Sequence, residues 1–96
     1  NENIKFYVKK NLEKNVTILK KKENAILMED FFFQSEEVLF RSFVELIKVV
    51  GKKYYPVRGK KIDRIIDLIG TKTSFKVTLG GCVIKKVNGT VILSKE

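Results

Sequence analysis

Residues 73–94 read TSFKVTLGGCVIKKVNGTVILS, and this stretch predicts three successive antiparallel strands. Apolar and polar side chains alternate over Thr73–Leu79, as expected for a strand with one buried face. Gly80-Gly81 then predicts a tight turn or bulge, because glycine can adopt the positive φ angles that such a turn requires. The side of the strand predicted to be buried carries Phe75, Val77 and Leu79.

A second turn is predicted at Asn88-Gly89, a dipeptide typical of type I′ hairpin turns. It would join Cys82–Val87 to Thr90–Ser94 in a terminal hairpin. In that register Ile84 faces Leu93 across the two strands.

Two segments before this stretch have the spacing of amphipathic helices. The hydroxyl of Ser35 can cap the first helix, and Gly51 predicts its end in a left-handed conformation. The second helix is predicted over Ile62–Ile69, with Gly70 as its end. Each helix has apolar residues three and four apart on one face. These are Leu39, Phe40, Phe43, Leu46, Ile47 and Val50 on the first, and Ile62, Ile65, Ile66 and Ile69 on the second.

The first third of the chain predicts a helix over residues 2–13, then a hairpin of Val16–Leu19 with Ala25–Met28. Phe31-Phe32-Phe33 is more apolar than an ordinary loop. We expect it to pack in the core or to form a one-turn helix under the sheet, with an exposed aromatic platform as the alternative. Taken together, residues 1–96 therefore predict a single α+β domain of three helices packed on short antiparallel strands, with a C-terminal β-hairpin.

The net charge of +9 lies in the second half of the chain. Residues 48–96 carry ten lysines and two arginines against three carboxylates, whereas residues 1–47 are neutral. Such an imbalance indicates an anionic partner rather than a particular fold. The alternative is a compositional bias towards Lys, Ile, Val and Asn, in which case part of the charge has no functional meaning.

Composition disfavours several kinds of site. The chain has no histidine and one cysteine, Cys82, which leaves no residues for an internal disulfide and too few for a typical zinc site. We expect Cys82 to be a packed thiol rather than a reactive one. No apolar run approaches the roughly 18–20 residues of a membrane helix. We therefore expect a cytoplasmic location and no membrane partner.

A set of short motifs occurs in a definite order: Gly51, then Tyr55-Pro56-Val57-Arg58, the Ile62–Ile69 helix, and Thr78-Leu79-Gly80-Gly81-Cys82. Over residues 35–96 this order and spacing resemble the domain that follows the catalytic core in tRNA(Ile)-lysidine synthetases, particularly those of alphaproteobacterial type. Val57 stands where the family tends to have a second proline. The family's Ser-Gly-Gly-x-Asp-Ser loop, which binds ATP, is absent, and the chain begins with Asn1. We therefore expect an excised tRNA-binding domain of a larger enzyme.

The resemblance implies that the parent protein is an ATP-dependent carbon–nitrogen ligase. It would activate the wobble cytidine of the isoleucine tRNA with a CAU anticodon and attach lysine there. ATP and Mg²⁺ would be held by the catalytic domain of the same polypeptide. The present chain would contain no catalytic, cofactor-binding or metal-binding residue, would be inactive alone, and would bind and orient the tRNA.

Basic and aromatic residues interleave over residues 52–61, a pattern in which cations can bind phosphates while a ring stacks on a base or ribose. Arg58 is the preferred single candidate, because a guanidinium can bind a phosphate through two hydrogen bonds. The alternative is that Tyr55 packs beside Pro56 and the lysines are merely solvated. The predicted RNA-binding residues are Lys52, Lys53, Tyr55, Arg58, Lys60, Lys61, Arg64 and Lys85.

Asp63 and Asp67 lie one helical turn apart, and we expect them to pair with neighbouring cations rather than to act as an acid and a base.

Two other functions are alternatives to a tRNA-binding domain of the synthetase family. One is an unrelated basic RNA-binding module, and the other is a structural or interaction domain whose lysines reflect composition. One contiguous basic face would favour RNA, whereas even scatter would favour the structural domain.

Overall fold

A computed structural model of the chain describes residues 2–19, 23–51 and 59–96. In chain order the elements are α1 (Glu2–Asn15), β1 (Val16–Leu19), β2 (Asn24–Leu27), a short 3₁₀ helix (Glu29–Phe32), α2 (Glu36–Gly51), α3 (Gly59–Thr71), β3 (Phe75–Leu79), β4 (Cys82–Val87) and β5 (Thr90–Lys95). This confirms the predicted α+β class, with three α-helices, antiparallel strands and a C-terminal hairpin. None of the helices within the described residues has both the length and the apolar character that a membrane span needs.

The five strands form one antiparallel sheet in the order β1-β2-β5-β4-β3. The predicted register of the terminal hairpin is confirmed, since Ile84 pairs with Leu93. Its turn has φ angles of 50° at Asn88 and 82° at Gly89, as a type I′ turn requires. The pairing of β2 with β5 joins the N-terminal hairpin to the C-terminal strands.

The β3–β4 connection is a two-residue turn at Gly80-Gly81, as predicted. Both glycines have positive φ, 62° and 83°, and the turn is closed by the pairing of Leu79 with Cys82. This conformation is nearly the same as that at Asn88-Gly89, so two turns of one kind connect the three C-terminal strands.

The helices cover one face of the sheet. α2 contacts β5 and β4, and it also contacts α1 and α3. The core lies between this layer and the sheet, where Phe31 and Phe43 are fully buried with their ring centroids 6.1 Å apart. Strand residues that point away from the helices are exposed or half-buried, so the opposite face of the sheet is open in the described part of the chain.

The start of α2 agrees with the prediction, because the backbone N–H of Val38 donates to the Ser35 hydroxyl oxygen at 3.3 Å. The predicted left-handed conformation of Gly51 is wrong. Gly51 is the last residue of α2, and the glycines with positive φ in the described residues are Gly80, Gly81 and Gly89. Its role is steric: a Cβ there would collide with the Gly80 carbonyl oxygen and lie 3.1 Å from the Cys82 sulfur.

The predicted end of the second helix at Gly70 is also wrong. α3 begins at Gly59 and continues through Gly70 to Thr71, whose hydroxyl donates to the Asp67 carbonyl oxygen at 2.9 Å. Near this end, the Lys86 ammonium donates to the Ile69 carbonyl oxygen at 2.6 Å. A helix can include a glycine without positive φ, and the Lys86 contact satisfies a carbonyl group that the last turn leaves without an intrahelical partner.

Both interpretations of the phenylalanine run hold in part. Phe31 is fully buried within the 3₁₀ helix, which confirms core packing for that residue. Phe32 is half-buried, whereas Phe33 has 70% of its surface exposed. The run therefore ends as an exposed aromatic ring.

Candidate nucleic-acid interface

The predicted RNA-binding residues fall in three places. Lys52, Lys53, Tyr55 and Arg58 lie outside the described residues, so their roles stay predictions. Lys60, Lys61 and Arg64 are on α3, and Lys85 is on β4.

The three α3 cations form an exposed group. Ile62, Ile65 and Ile69 recur at helical spacing and are buried against the core. Lys60, Lys61 and Arg64 lie off this apolar face and are all exposed, whereas Ile66 is half-buried against the core. We call these three residues the α3 cations.

The expected ion pairs of Asp63 and Asp67 with the α3 cations are not formed. In the described residues, the ion pairs within 4.0 Å are Lys9–Glu13, Arg41–Glu37 and Lys48–Glu45. Exposed pairs gain little free energy in water, which is why spacing alone does not ensure that they form. The α3 cations are therefore available to an external anion.

Lys85 lies on the open face of the sheet, on the side opposite to the helices. It pairs directly with Lys76 of β3, and both side chains are exposed. The structure therefore does not bring Lys85 together with the α3 cations, because the sheet separates them. The row that crosses all five strands on this face contains Thr17, Ile26, Ile92, Lys85 and Lys76.

Lys86 has a structural role, as its ammonium binds the Ile69 carbonyl oxygen on the helix side of the sheet. Apart from Lys86, the basic residues within 59–96 are exposed, and none of them has an ion pair within 4.0 Å among the described residues. This part of the chain thus presents positive charge on two surfaces, one of which also carries the exposed carboxylates of Asp63 and Asp67, rather than the one contiguous basic face that would favour RNA. They are the outer side of α3 and the open sheet face.

Sequence reasoning missed a third surface, which lies between α1 and the 3₁₀ helix. Tyr7, Lys10 and Lys14 border a groove there, opposite Phe33. The signal was present in the sequence as the i, i+3, i+7 spacing of the three α1 residues, which places them on one helical face. It was missed because residues 1–47 have no net charge, although Lys10 and Lys14 have no ion pair within 4.0 Å among the described residues.

Cys82 is a packed thiol, as predicted. Its side chain is fully buried, and its sulfur lies 3.5 Å from the Ile47 carbonyl oxygen, to which the thiol donates. Burial raises the pKa of this thiol to about 11, because the thiolate would lose its hydration. The thiol is therefore protonated at neutral pH and is not a nucleophile.

This pKa gives a prediction for stability at high pH. The unfolded thiol loses its proton near pH 9.0 and the folded thiol near pH 11, so the folded state binds more protons between these values. Stability should therefore fall as pH rises through this range, by up to about 1.4 kcal/mol per pH unit from this group. The measurement is urea unfolding from pH 8 to 11. The control is Cys82→Ala, which should be less stable but have a shallower slope; an unchanged slope would contradict the assignment.

No group of three or more histidine, cysteine or acidic side chains suited to a metal ion occurs within the described residues. No protein-family model, curated protein or solved structure matches this chain.

Proposed function

We propose that this chain is a tRNA-binding domain of a tRNA(Ile)-lysidine synthetase. The observation that carries the proposal is the ordered motif set from Gly51 to Cys82, which flanks a helix with exposed and unpaired cations. A helical face of this kind can bind phosphates of an RNA backbone, whose contacts supply affinity and orientation rather than sequence specificity.

In this proposal the reaction takes place in another domain of the same polypeptide, in the cytoplasm. That domain holds ATP and Mg²⁺, activates the wobble cytidine of the isoleucine tRNA with the CAU anticodon, and transfers lysine to it. The present chain grips the tRNA body through the α3 cations and the basic segment that precedes them. Recognition of the wobble cytidine is not assigned to this chain.

The proposal predicts salt-dependent binding of tRNA. Replacing Lys60, Lys61 and Arg64 together by alanine should weaken binding at low salt and reduce the log–log salt slope by about 0.7–0.9 for each phosphate that the variant no longer neutralises. Affinity for isoleucine tRNA would be measured by fluorescence anisotropy over a range of salt concentrations, with circular dichroism to show that the variant is folded.

A matched control removes the same charge elsewhere. Lys5, Lys9 and Arg41 are exposed residues on α1 and α2, and their replacement by alanine should leave the salt slope nearly unchanged. Equal effects of the two triple variants would mean that net charge alone drives binding, as expected for lysines that reflect composition. Absence of tRNA binding at low salt would contradict the proposal.

Two further comparisons separate the remaining alternatives. Equal affinity for tRNA and for a plain RNA duplex would favour an unrelated RNA-binding module. The variant with Lys76 and Lys85 both changed to alanine tests the open sheet face. A larger effect of this pair than of the α3 triple would move the interface to that face.

A further inference from the structure

A groove of about 370 Å³ separates α1 from the 3₁₀ helix and the residues that follow it. This volume is within the range of about 300–1,000 Å³ that is usual for small-molecule sites. The groove lies on the half of the chain that carries no net charge. Its lining is Tyr7, Lys10, Asn11, Lys14 and Asn15 from α1, with Asp30, Phe33 and Gln34 opposite.

The groove is held in shape by a buried polar network. The side-chain amide of Asn11 donates to the Phe31 carbonyl oxygen at 3.3 Å and to the Ser42 hydroxyl oxygen at 3.1 Å. Its amide oxygen accepts from the Asn15 side chain at 2.8 Å. All the polar atoms of the Asn11 side chain are thus bonded, and they tie α1 to both the 3₁₀ helix and α2. A site with such support is preorganised, because its walls do not have to be ordered when a ligand binds.

Two exposed aromatic rings contribute to the walls. Tyr7 has 51% of its surface exposed and Phe33 has 70%, although both belong to residue types that folding normally buries or half-buries. They come from different walls of the groove. An exposed ring beside a groove offers a flat surface on which a nucleobase can stack.

The charges of the groove complement a nucleotide. Lys10 and Lys14 are one turn apart on α1, where two like charges destabilise a helix unless an anion lies between them. Neither is paired with a carboxylate within 4.0 Å in the part of the chain that the structure describes. On the opposite wall Asp30 has an exposed carboxylate, which can accept hydrogen bonds from the amino or imino groups of a base.

We propose that this groove binds one unpaired nucleotide of a single-stranded RNA. The base stacks on Phe33 with its edge towards Asp30, and its phosphate lies at Lys10 and Lys14. The site is on α1 and the residues that face it, whereas the α3 cations are on a separate helix. The inference therefore stands independently of the proposed function, and its test can fail or succeed separately.

The test is a titration of the full chain with a short unstructured RNA oligonucleotide of mixed sequence, followed by two-dimensional NMR. Signals of Asn15 and Gln34, including their side-chain amides, should shift on binding. Phe33→Ala should weaken affinity about five- to 150-fold, the range for loss of one base–aromatic stack. The control is Leu19→Ala, which removes an apolar side chain that is 43% exposed on β1 and does not line the groove. Phe6 is unsuitable as a control, because its ring contacts Tyr7 at 5.4 Å between centroids and lies 5.8 Å from the Lys10 ammonium.

Several outcomes would overturn the inference. The first is an oligonucleotide that does not bind, or one that shifts signals of α3 or the open sheet face and leaves the groove unchanged. The second is an equal loss of affinity from Leu19→Ala and Phe33→Ala. The third is a change of the groove signals with protein concentration in the absence of RNA, which would identify the exposed rings as a contact with another protein chain. Oligonucleotide binding in the groove without tRNA binding would support the inference and contradict the proposed function.

Discussion

Gly51→Ala is expected to destabilise the domain by about 2–3 kcal/mol, the cost of forcing extra volume into a packed site. The reason is the close approach of the end of α2 to the β3–β4 turn. A methyl group at this position would collide with the Gly80 carbonyl oxygen and lie 3.1 Å from the buried Cys82 sulfur. A backbone carbonyl cannot move aside as the tip of a flexible side chain can, so either the turn or the helix must shift. Thermal and urea unfolding of the variant would measure the effect.

Gly70→Ala is the matched control, because Gly70 also lies within a helix near its C-terminal end. A Cβ at this position has no atom within 4 Å. Alanine should therefore stabilise the domain by about 0.5–1 kcal/mol, since it restricts the unfolded chain and favours helix. The two glycine substitutions should thus have opposite signs. A neutral or stabilising Gly51→Ala would mean that α2 and the turn are less closely packed than the structure indicates.

Gly81→Val is expected to lower stability by about 2 kcal/mol or more, because a β-branched residue is strained in a left-handed conformation. Gly81 is buried and has a φ of 83°. For a domain of this size the change corresponds to a fall in melting temperature of about 8–16 °C. Any loss of tRNA binding should follow the fraction of unfolded protein and disappear at temperatures where the variant is folded.

The control for this turn is Gly80→Asn, which reproduces the Asn-Gly sequence of the β4–β5 turn. Asn88 has a φ of 50° and Gly80 a φ of 62°, so asparagine can adopt the required conformation. We expect a change of less than about 1 kcal/mol, because asparagine tolerates this region better than other non-glycine residues. If Gly81→Val instead kept wild-type stability and lost binding selectively, the glycines would be contact residues and their assignment to the turn would be wrong.

The parts of the fold that were predictable are those set by neighbours in the chain. Alternating side chains identified β3, the dipeptide Gly80-Gly81 identified the turn after it, and Asn88-Gly89 identified the terminal hairpin of β4 and β5 with its register. Each of these features depends on φ preferences and side-chain period within a few residues. The Ser35 cap was predictable for the same reason, since its hydrogen bond reaches only three residues along the chain.

Other features required the tertiary structure, and the glycines show the difference. Gly51 and Gly70 both follow an apolar helical pattern, so the sequence predicted the same role for both. In the structure Gly51 meets a turn that lies about thirty residues later in the sequence, whereas Gly70 meets nothing within 4 Å. Which of them is essential is decided by that long-range contact, and no local pattern encodes it.

The candidate sites divide in the same way. From the sequence alone, a concentration of positive charge in residues 48–96 and the outward spacing of the α3 cations could be inferred. Only the tertiary structure separated Lys85 from the α3 cations, because strand pairing and helix packing decide which face of the sheet is covered. It also brought Phe33 opposite Tyr7 and Lys10 across a groove. Side-chain period specifies a face of each element, but which faces meet depends on the packing of segments far apart in the chain.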